Sequence, residues 1–328
     1  MTAQLTVRTT LAELGLWAHA EGSDGTAGSD GSGLTVTDSV TMASPSWWGA
    51  DSQRWSVRSG VPDPVVGAAA FVKVMEPHAR AHVDIGAAFG AAREAGAAGI
   101  GPRVLAADVE RGVLVLADLT ETFGTATVDR FDDPAAAERL VALRRAVHRL
   151  PAFGRRASVF DDIRAAHALA VGAAADLPVD LGWMLRLLEP AQRRIEATGY
   201  DPLPCHGDGN VSNVLVERAG TGLRLVDWDR AAVMDPLQDL GVLLHEIRPF
   251  DTSAREVFEM YWGHWDGALF DRCRVYGIAD CLRWGLLGRY AGAVAPGTHE
   301  YTKYADWQFL RARAGLRDPH FDDRLANL

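Results

Sequence analysis

The first third of the chain alternates short apolar runs with segments rich in turn-forming residues. Apolar runs bounded by Gly, Pro, Ser and Asp are typical of β-strands. The predicted strands cover residues 34–42, 54–60, 68–75, 102–108 and 112–119. Between the third and fourth of them, residues 79–99 are rich in alanine and lack helix breakers, which predicts a helix that ends at Gly99.

A different pattern begins near residue 132, where Ala, Leu and Arg dominate and helices are favoured. The predicted helices cover residues 134–150, 161–174 and 180–197, with further helices after residue 236. A short hairpin interrupts them, with strands at 214–217 and 223–228. We therefore predict an α+β fold with two lobes, a small antiparallel β-sheet lobe followed by a mostly helical lobe.

The N-terminal region differs from both lobes in composition. Residues 8–20 have the partly amphipathic pattern of a short helix, and residues 21–33 consist largely of Gly, Ser and Asp, which is typical of a flexible linker. We divide the chain into this N-terminal segment (1–33), a sheet lobe (34–118) and a helical lobe (119–328).

Composition narrows the classes of partner. A chain of 328 residues with 48% hydrophobic and 23% charged residues can bury a sizeable core. Its net charge of −10 disfavours a nucleic-acid partner and suits a cationic ligand. The three cysteines lack CxxC spacing, no apolar run is long enough for a bilayer, and no secretory signal pattern is seen. We expect a cytoplasmic protein that does not associate with membranes.

The sequence CHGDGNVSNVLV, residues 205–216, concentrates polar side chains between two apolar runs. Gly, Asp, Asn and Ser are common turn formers, so a surface turn is one interpretation. A reactive site is the other, because the hairpin that follows brings a further carboxylate, Asp227, to the end of an apolar strand.

His206, Gly207, Asp208 and Asn213, followed by Asp227, resemble the catalytic core of the aminoglycoside phosphotransferase and choline kinase family, which is related to the protein kinases. The resemblance implies a two-lobed protein-kinase-like fold. It also implies an enzyme that uses ATP and Mg²⁺ to phosphorylate a hydroxyl group. The sheet lobe would bind the nucleotide, and the helical lobe would carry the catalytic and substrate-binding residues.

Phosphoryl transfer depends chiefly on positioning and on charge neutralisation. In this resemblance Asp208 is the catalytic base that accepts the proton of the substrate hydroxyl. Asn213 and Asp227 supply the oxygen ligands that Mg²⁺ prefers. Structural support of the loop is expected from His206, Asp235 and Asp239.

The resemblance places the phosphate contacts in the sheet lobe. Lys73 is the one charge in the strand AAAFVKVM and would bind the ATP phosphates, although a lone lysine in a strand is ordinarily a solvent-facing residue. The sequence WWGADSQRW, residues 47–55, resembles the family's hairpin over the phosphates, with Gly49 and Ser52 as donors. A hairpin without a ligand is the alternative.

Two further nucleotide contacts follow from the resemblance. The helix after Lys73 should carry an acid that pairs with it, and Asp84 fits the spacing better than Glu94. The adenine hinge would run from Leu116 to Leu119, mainly through backbone contacts.

The acceptor is less well determined. Glu246, seven residues after Asp239, and the sequence RWGLL at 283–287 resemble choline and ethanolamine kinases. Aromatic residues could form a box that holds an ammonium group by cation–π attraction. Its candidate members are Trp262, Trp265, Trp284, Tyr290, Tyr304 and Trp307, of which Trp262 and Trp284 are our substrate predictions with Glu246. Helical spacing equally fits a hydrophobic core, and Arg230 stands where choline kinases usually have an aromatic residue.

We therefore expect a small-molecule kinase with a cationic acceptor similar to choline or ethanolamine. An aminoglycoside or amino-sugar kinase is the alternative within the same chemistry. A degenerate kinase fold that only senses nucleotide is an alternative of another class. The presence of Lys73, Asp208, Asn213 and Asp227 together favours an enzyme over that sensor.

Overall fold

The structure, a computed structural model, describes residues 3–17, 33–39, 51–297 and 299–328. Within these ranges the strands are Leu34–Asp38 (β1), Ser52–Asp63 (β2), Gly67–Met75 (β3), Val104–Asp108 (β4), Val113–Ala117 (β5), Phe123–Thr125 (β6), Leu203–Cys205 (β7), Val214–Glu217 (β8), Leu223–Leu225 (β9) and Ala232–Met234 (β10). The α-helices are Ala3–Glu13 (α1), Ile85–Ala97 (α2), Pro134–Val147 (α3), Val159–Gly172 (α4), Leu181–Thr198 (α5), Pro236–Ile247 (α6), Asp251–Trp262 (α7), Gly267–Val294 (α8), Tyr301–Leu316 (α9) and Phe321–Asn327 (α10).

A five-stranded antiparallel sheet in the order β1-β2-β3-β5-β4 forms the smaller lobe. One face of the sheet packs against α1 and the residues that follow it. Trp17 is buried there, and it donates its backbone N–H to the Asp63 carboxylate (2.8 Å) and its indole N–H to the Gly67 carbonyl (3.0 Å). The helix predicted at 8–20 thus lies earlier in the chain, because Leu16 and Trp17 leave it to fill the core.

The helix predicted at 79–99 is divided in two. A short 3₁₀ helix covers Pro77–Ala81, and α2 begins only after Asp84, whose carboxylate accepts a hydrogen bond from the backbone N–H of Ala87 (2.9 Å). A carboxylate at this position satisfies a backbone donor that has no partner within the helix. Gly99 follows the helix with a φ of +70°, as expected for a glycine that ends a helix.

The larger lobe is built around the long helix α8, which packs against α4, α6 and α9. Helices α6 and α8 approach closely at Gly241, where a Cβ atom would lie 2.2 Å from the carbonyl oxygen of Cys273. The crossing therefore requires glycine. Among the described residues, no helix has both the length and the apolarity needed to cross a membrane.

Two small sheets hold the segment 206–213 at the boundary of the lobes. Strands β7 and β10 pair on one side of it, and β6, β8 and β9 form a three-stranded sheet on the other. The predicted two-lobed α+β architecture is confirmed, including the hairpin of β8 and β9. The predicted linker lies almost entirely outside the described residues.

Candidate active site

The loop between β7 and β8 holds Asp208 through both of its carboxylate oxygens. The backbone N–H of Asn210 donates to Oδ1 (2.8 Å), and the side-chain amide of Asn213 donates to Oδ2 (3.1 Å). Gly207 precedes Asp208 with a φ of +77°, and a Cβ atom there would lie 2.5 Å from the carbonyl oxygen of Arg230. Only glycine fits this turn. The predicted base and the predicted metal ligand thus lie side by side.

A fully buried pair, Arg144 and Asp239, fixes the backbone of this loop from behind. Asp239 Oδ1 accepts hydrogen bonds from the backbone N–H of Gly207 (2.7 Å) and from the Arg144 guanidinium (3.0 Å). Arg144 also donates to the carbonyl oxygen of Asp208. Asp239 therefore lies where we predicted structural support, and Arg144 shares that position with it.

Asp239 also belongs to a compact group of possible metal ligands with His148 and Cys205, whose ligand atoms lie within 4.8 Å of one another. The permanent charge of Arg144, 3.0 Å from Asp239, opposes a cation there. His148 is occupied as well, since its Nε2 lies 2.8 Å from the Tyr261 hydroxyl. We interpret this group as structural.

Of the other two residues predicted to support the loop, His206 contacts it and Asp235 caps a helix. The Nε2 atom of His206 lies 2.9 Å from the carbonyl oxygen of Val226. This contact ties the loop to the segment that precedes Asp227, and the Nδ1 atom of His206 lies 3.3 Å from the carbonyl oxygen of Asp208. Burial lowers the pKa of His206. Asp235 caps α6 instead, because its carboxylate accepts from the backbone N–H of Leu237 (2.9 Å).

Lys73 reaches two carboxylates across the cleft. Its Nζ lies 2.6 Å from Asp227 Oδ1 and 2.7 Å from Asp229 Oδ1. Burial alone would lower the pKa of Lys73, but the two carboxylates outweigh it and raise that pKa. Burial would likewise raise the pKa of Asp227, yet Lys73 lowers it to about 2. Burial, aided by the charge of Asp227, raises the pKa of Asp229 to about 6. Asp227 is thus a carboxylate at neutral pH.

The prediction that Asp84 pairs with Lys73 is wrong. Asp84 caps α2 and points its carboxylate at the first turn of that helix. Among the described residues, Lys73 takes its acidic partners from the segment after β9 instead. Asp227 stands two residues beyond the strand that we expected it to end, with a φ of +64° that residues other than glycine rarely adopt.

Two cavities meet at Asn213 and Asp227. The larger, of about 310 Å³, lies between the lobes. Its walls include the predicted nucleotide residues Ser52, Lys73, Leu116 and Leu119. The smaller, of about 60 Å³, contains Asp208 in its wall. Asn213 and Asp227 line both cavities, so they stand at the junction of the two. The predicted phosphate contact of Gly49 lies outside the described residues.

The predicted aromatic box is divided among several places. Trp284 and Tyr304 line the smaller cavity with Glu246, and their ring centroids are 6.4 Å apart, edge to face. Trp262 packs against the main hydrophobic core, so its predicted contact with the acceptor is wrong. The other candidates also lie apart, Trp265 against Phe258 and Phe270, Tyr290 beside His82, and Trp307 in a separate groove.

Sequence reasoning missed several residues of the site. Asp229 was visible as the second acid of VDWD, two residues after Asp227. Arg144 was also visible in principle, because it shares a helix face with the buried Leu140 and Val147 of α3. Asp280, in the wall of the smaller cavity, stands on α8, where no local pattern marks it.

The chain is similar to proteins of known family. The model of the phosphotransferase enzyme family matches residues 44–276, more than half of the chain. The chain belongs to the phosphotransferase enzyme family. A curated relative, aminoglycoside 3'-phosphotransferase of Escherichia coli, is 30% identical over 82 residues. That match spans 25% of this chain and 30% of the length of the relative.

Solved structures agree with this phosphotransferase family assignment at the level of the fold. A choline/ethanolamine kinase family protein from Mesorhizobium loti has a TM-score of 0.74 and 24% identity, over 98% of this chain and 97% of the other. The choline kinase LicA from Streptococcus pneumoniae has a TM-score of 0.72 and 14% identity, over 95% and 98%. The resemblance inferred from the sequence motifs is confirmed.

Proposed function

We propose that this phosphotransferase uses Mg²⁺ and ATP to phosphorylate the hydroxyl group of a small cationic acceptor. The observation that carries the proposal is the position of Asn213 and Asp227 at the junction of the two cavities, beside Asp208. A γ-phosphate in the larger cavity and a hydroxyl in the smaller one would meet there. Membership of the phosphotransferase family supports the reaction type.

The larger cavity suits a nucleotide in shape and charge. Leu116 and Leu119 give it an apolar wall for a base, and Lys73 contributes a cation to the wall of the same cavity. The hydroxyl of Ser52 adds a hydrogen-bond donor on the same side. LicA, whose fold is similar, has been crystallised with AMP, which supports an adenine nucleotide here.

The junction also fits a divalent cation. Asp227 is ionised at neutral pH because Lys73 lowers its pKa to about 2, and Asn213 uses its amide N–H for Asp208, which leaves its amide oxygen as a ligand. Hard cations prefer such oxygen donors. When bound, Mg²⁺ would neutralise charge on the phosphates.

Asp208 is then placed to act as the general base. Each of its oxygens accepts one hydrogen bond from the loop, which holds the carboxylate in one orientation and leaves lone pairs for a substrate. As the acceptor oxygen bonds to the γ-phosphorus, the bond from that phosphorus to ADP breaks, and the proton of the acceptor hydroxyl passes to Asp208. Arg144 and Asp239 keep this geometry fixed without contacting the substrate.

The size of the smaller cavity favours a small acceptor. At roughly 10–15 Å³ for each water, its volume of about 60 Å³ holds about four to six waters, similar to an amino alcohol such as ethanolamine. Glu246 and Asp280 in its wall supply negative charge for a cation. A whole aminoglycoside is too large for this space, although one of its rings could present a hydroxyl.

The test is ADP release with Mg·ATP across choline, ethanolamine, amino sugars and aminoglycosides, with Asp208→Asn as the blank. We expect acceptor-dependent ADP release that falls by about 10²–10⁴-fold in Asp208→Asn, the range attributed to a general base. Asp306→Asn, an exposed acid on α9, is the matched control and should retain activity. Equal turnover in Asp208→Asn and the wild type would contradict the assignment of the base.

A further inference from the structure

The smaller cavity, called the acceptor cavity from here on, has the guanidinium group of Arg230 in its wall. The guanidinium carbon of Arg230 lies 5.0 Å from the ring centroid of Trp284, and that of Arg283 lies 5.3 Å from the same centroid. Both distances are within the range of cation–π attraction. The aromatic surface that would attract an ammonium group is therefore already used by two arginines.

Arg230 is held rigidly in this position. It is 3% exposed, and it donates to the carbonyl oxygen of His82 (3.0 Å) and to the Nδ1 atom of the same residue (2.6 Å). Asp51 adds a carboxylate 4.0 Å away. These hydrogen bonds stabilise the guanidinium where it is. Arg230 would have to break them to move away from the Trp284 ring when a ligand binds.

The same cavity offers a carboxylate with unused capacity. The Oδ1 atom of Asp280 is buried and pairs with Arg283, so the other carboxylate oxygen is the one available to a ligand in the cavity. An ionised carboxylate can accept several hydrogen bonds. An ammonium with N–H groups can supply them, whereas a quaternary ammonium has no N–H and depends on aromatic faces.

We propose, on the basis of the proposed function, that Arg230 and Asp280 make the acceptor cavity selective for a primary amino alcohol over its quaternary analogue. Arg230 occupies the Trp284 face and repels a bulky cation from it. Asp280 accepts hydrogen bonds from the primary ammonium, which offset that repulsion. The volume of about 60 Å³ acts in the same direction, since three added methyl groups have to fit as well.

The experiment is a methylation series in which ethanolamine gains one methyl group at a time up to choline. We expect kcat/KM for the wild type to fall at each step, by about 100-fold or more in all, because each step removes a donor and adds volume. Arg230→Met should improve choline relative to ethanolamine by about 10-fold or more. Asp280→Asn should weaken ethanolamine more than choline, because both cations lose the attraction of the carboxylate but only ethanolamine also loses hydrogen bonds to it.

Arg313→Met is the matched control, because Arg313 also lies over an aromatic ring, that of Phe309 at 5.9 Å, but lines neither of the two cavities. It should leave the ratio of choline to ethanolamine as in the wild type. Thermal melting of each variant identifies any that fail to fold. The comparison of the four acceptors with the wild-type protein tests the proposal even if a variant fails to fold.

Calorimetric titration of the nucleotide-free protein with the same four compounds measures their binding to the acceptor cavity in the absence of turnover. Choline binding or reacting as well as ethanolamine in the wild type overturns the proposal, as does an unchanged ratio in folded Arg230→Met. If ATP is consumed in an Asp208-dependent manner but none of the four compounds binds, the ammonium selectivity is wrong and the kinase assignment stands. If ethanolamine binds but ATP does not, the proposed function fails and the selectivity stands.

Discussion

Replacing Lys73 with methionine removes the charge shared by a buried carboxylate, Asp229, and a partly exposed one, Asp227, while it keeps a side chain of similar length. In the wild type Lys73 lies 2.6 Å from Asp227 and 2.7 Å from Asp229, and its side chain is 9% exposed. The variant leaves two acids in contact with the same buried space and no cation between them. We expect both a loss of stability and a change in its dependence on pH.

The magnitude follows from the two ion pairs of Lys73. Lys73 lowers the pKa of Asp227 from 3.8 to about 2, but the Asp227 side chain is 38% exposed, so solvent screens part of this interaction and it contributes only about 1 kcal/mol. Asp229 is 9% exposed, and removing one partner of a buried ion pair generally costs about 3–5 kcal/mol. We therefore expect Lys73→Met to lower the free energy of unfolding by about 3 kcal/mol at pH 8, chiefly through Asp229.

The sign of the pH dependence is also determined. Because the folded-state pKa of Asp227 is below its unfolded value, the wild type retains this stabilisation above about pH 4 and loses it only toward pH 2. In Lys73→Met both carboxylates lack a cation, so the pKa of Asp227 should rise above its unfolded value and that of Asp229 above the value of about 6 that it has in the wild type. Such groups stabilise the folded state as they take up protons, and the gap to the wild type should narrow between pH 8 and pH 5.

Urea unfolding of the nucleotide-free protein at pH 5 and pH 8 measures this gap. Asp84→Ala is the contrast, because Asp84 caps α2 and has no contact with Lys73. It should cost about 1 kcal/mol, equally at both pH values, as expected for a lost helix cap. A gap for Lys73→Met that is independent of pH, or equal effects of the two substitutions, would refute the pairing of Lys73 with Asp227 and Asp229.

Two further predictions concern the surroundings of the site. Arg144→Met should lower the free energy of unfolding by about 3–5 kcal/mol in urea unfolding, because it leaves Asp239 buried without its cation. In steady-state kinetics it should lower kcat more than the affinity for Mg·ATP. Burial raises the pKa of Asp51 to about 7, so the folded wild type should lose stability as the pH rises through that value. Asp51→Asn should gain stability relative to the wild type between pH 5 and pH 8, by about 3 kcal/mol, and a constant difference in urea unfolding would contradict this cause.

Local sequence patterns were sufficient to predict the fold class and the loop from His206 to Asn213. The segment from His206 to Asn213 needs a turn, a glycine and two polar side chains close together in sequence, and all of these are visible in the chain itself. The two-lobed architecture followed for the same reason, since strands and helices have different hydrophobic periods.

Contacts between distant parts of the chain were harder to predict. Asp84 stood at a suitable spacing for Lys73, but a carboxylate at the start of a helix finds backbone donors first. Lys73 instead meets acids more than 150 positions away, which no local pattern reveals. The aromatic residues of α7 and α8 shared helical spacing, yet packing placed Trp284 at the acceptor cavity and Trp262 against the core.

The central claim is that Asp208 serves as the base and Asp227 as a metal ligand at the same phosphoryl group. The most direct test compares Asp208→Asn with Asp227→Asn by calorimetric binding of Mg·ATP and by turnover of the best acceptor. We predict that Asp208→Asn loses turnover and binds Mg·ATP as the wild type does, while Asp227→Asn loses both. Weakened Mg·ATP binding in Asp208→Asn together with normal binding in Asp227→Asn would contradict the account.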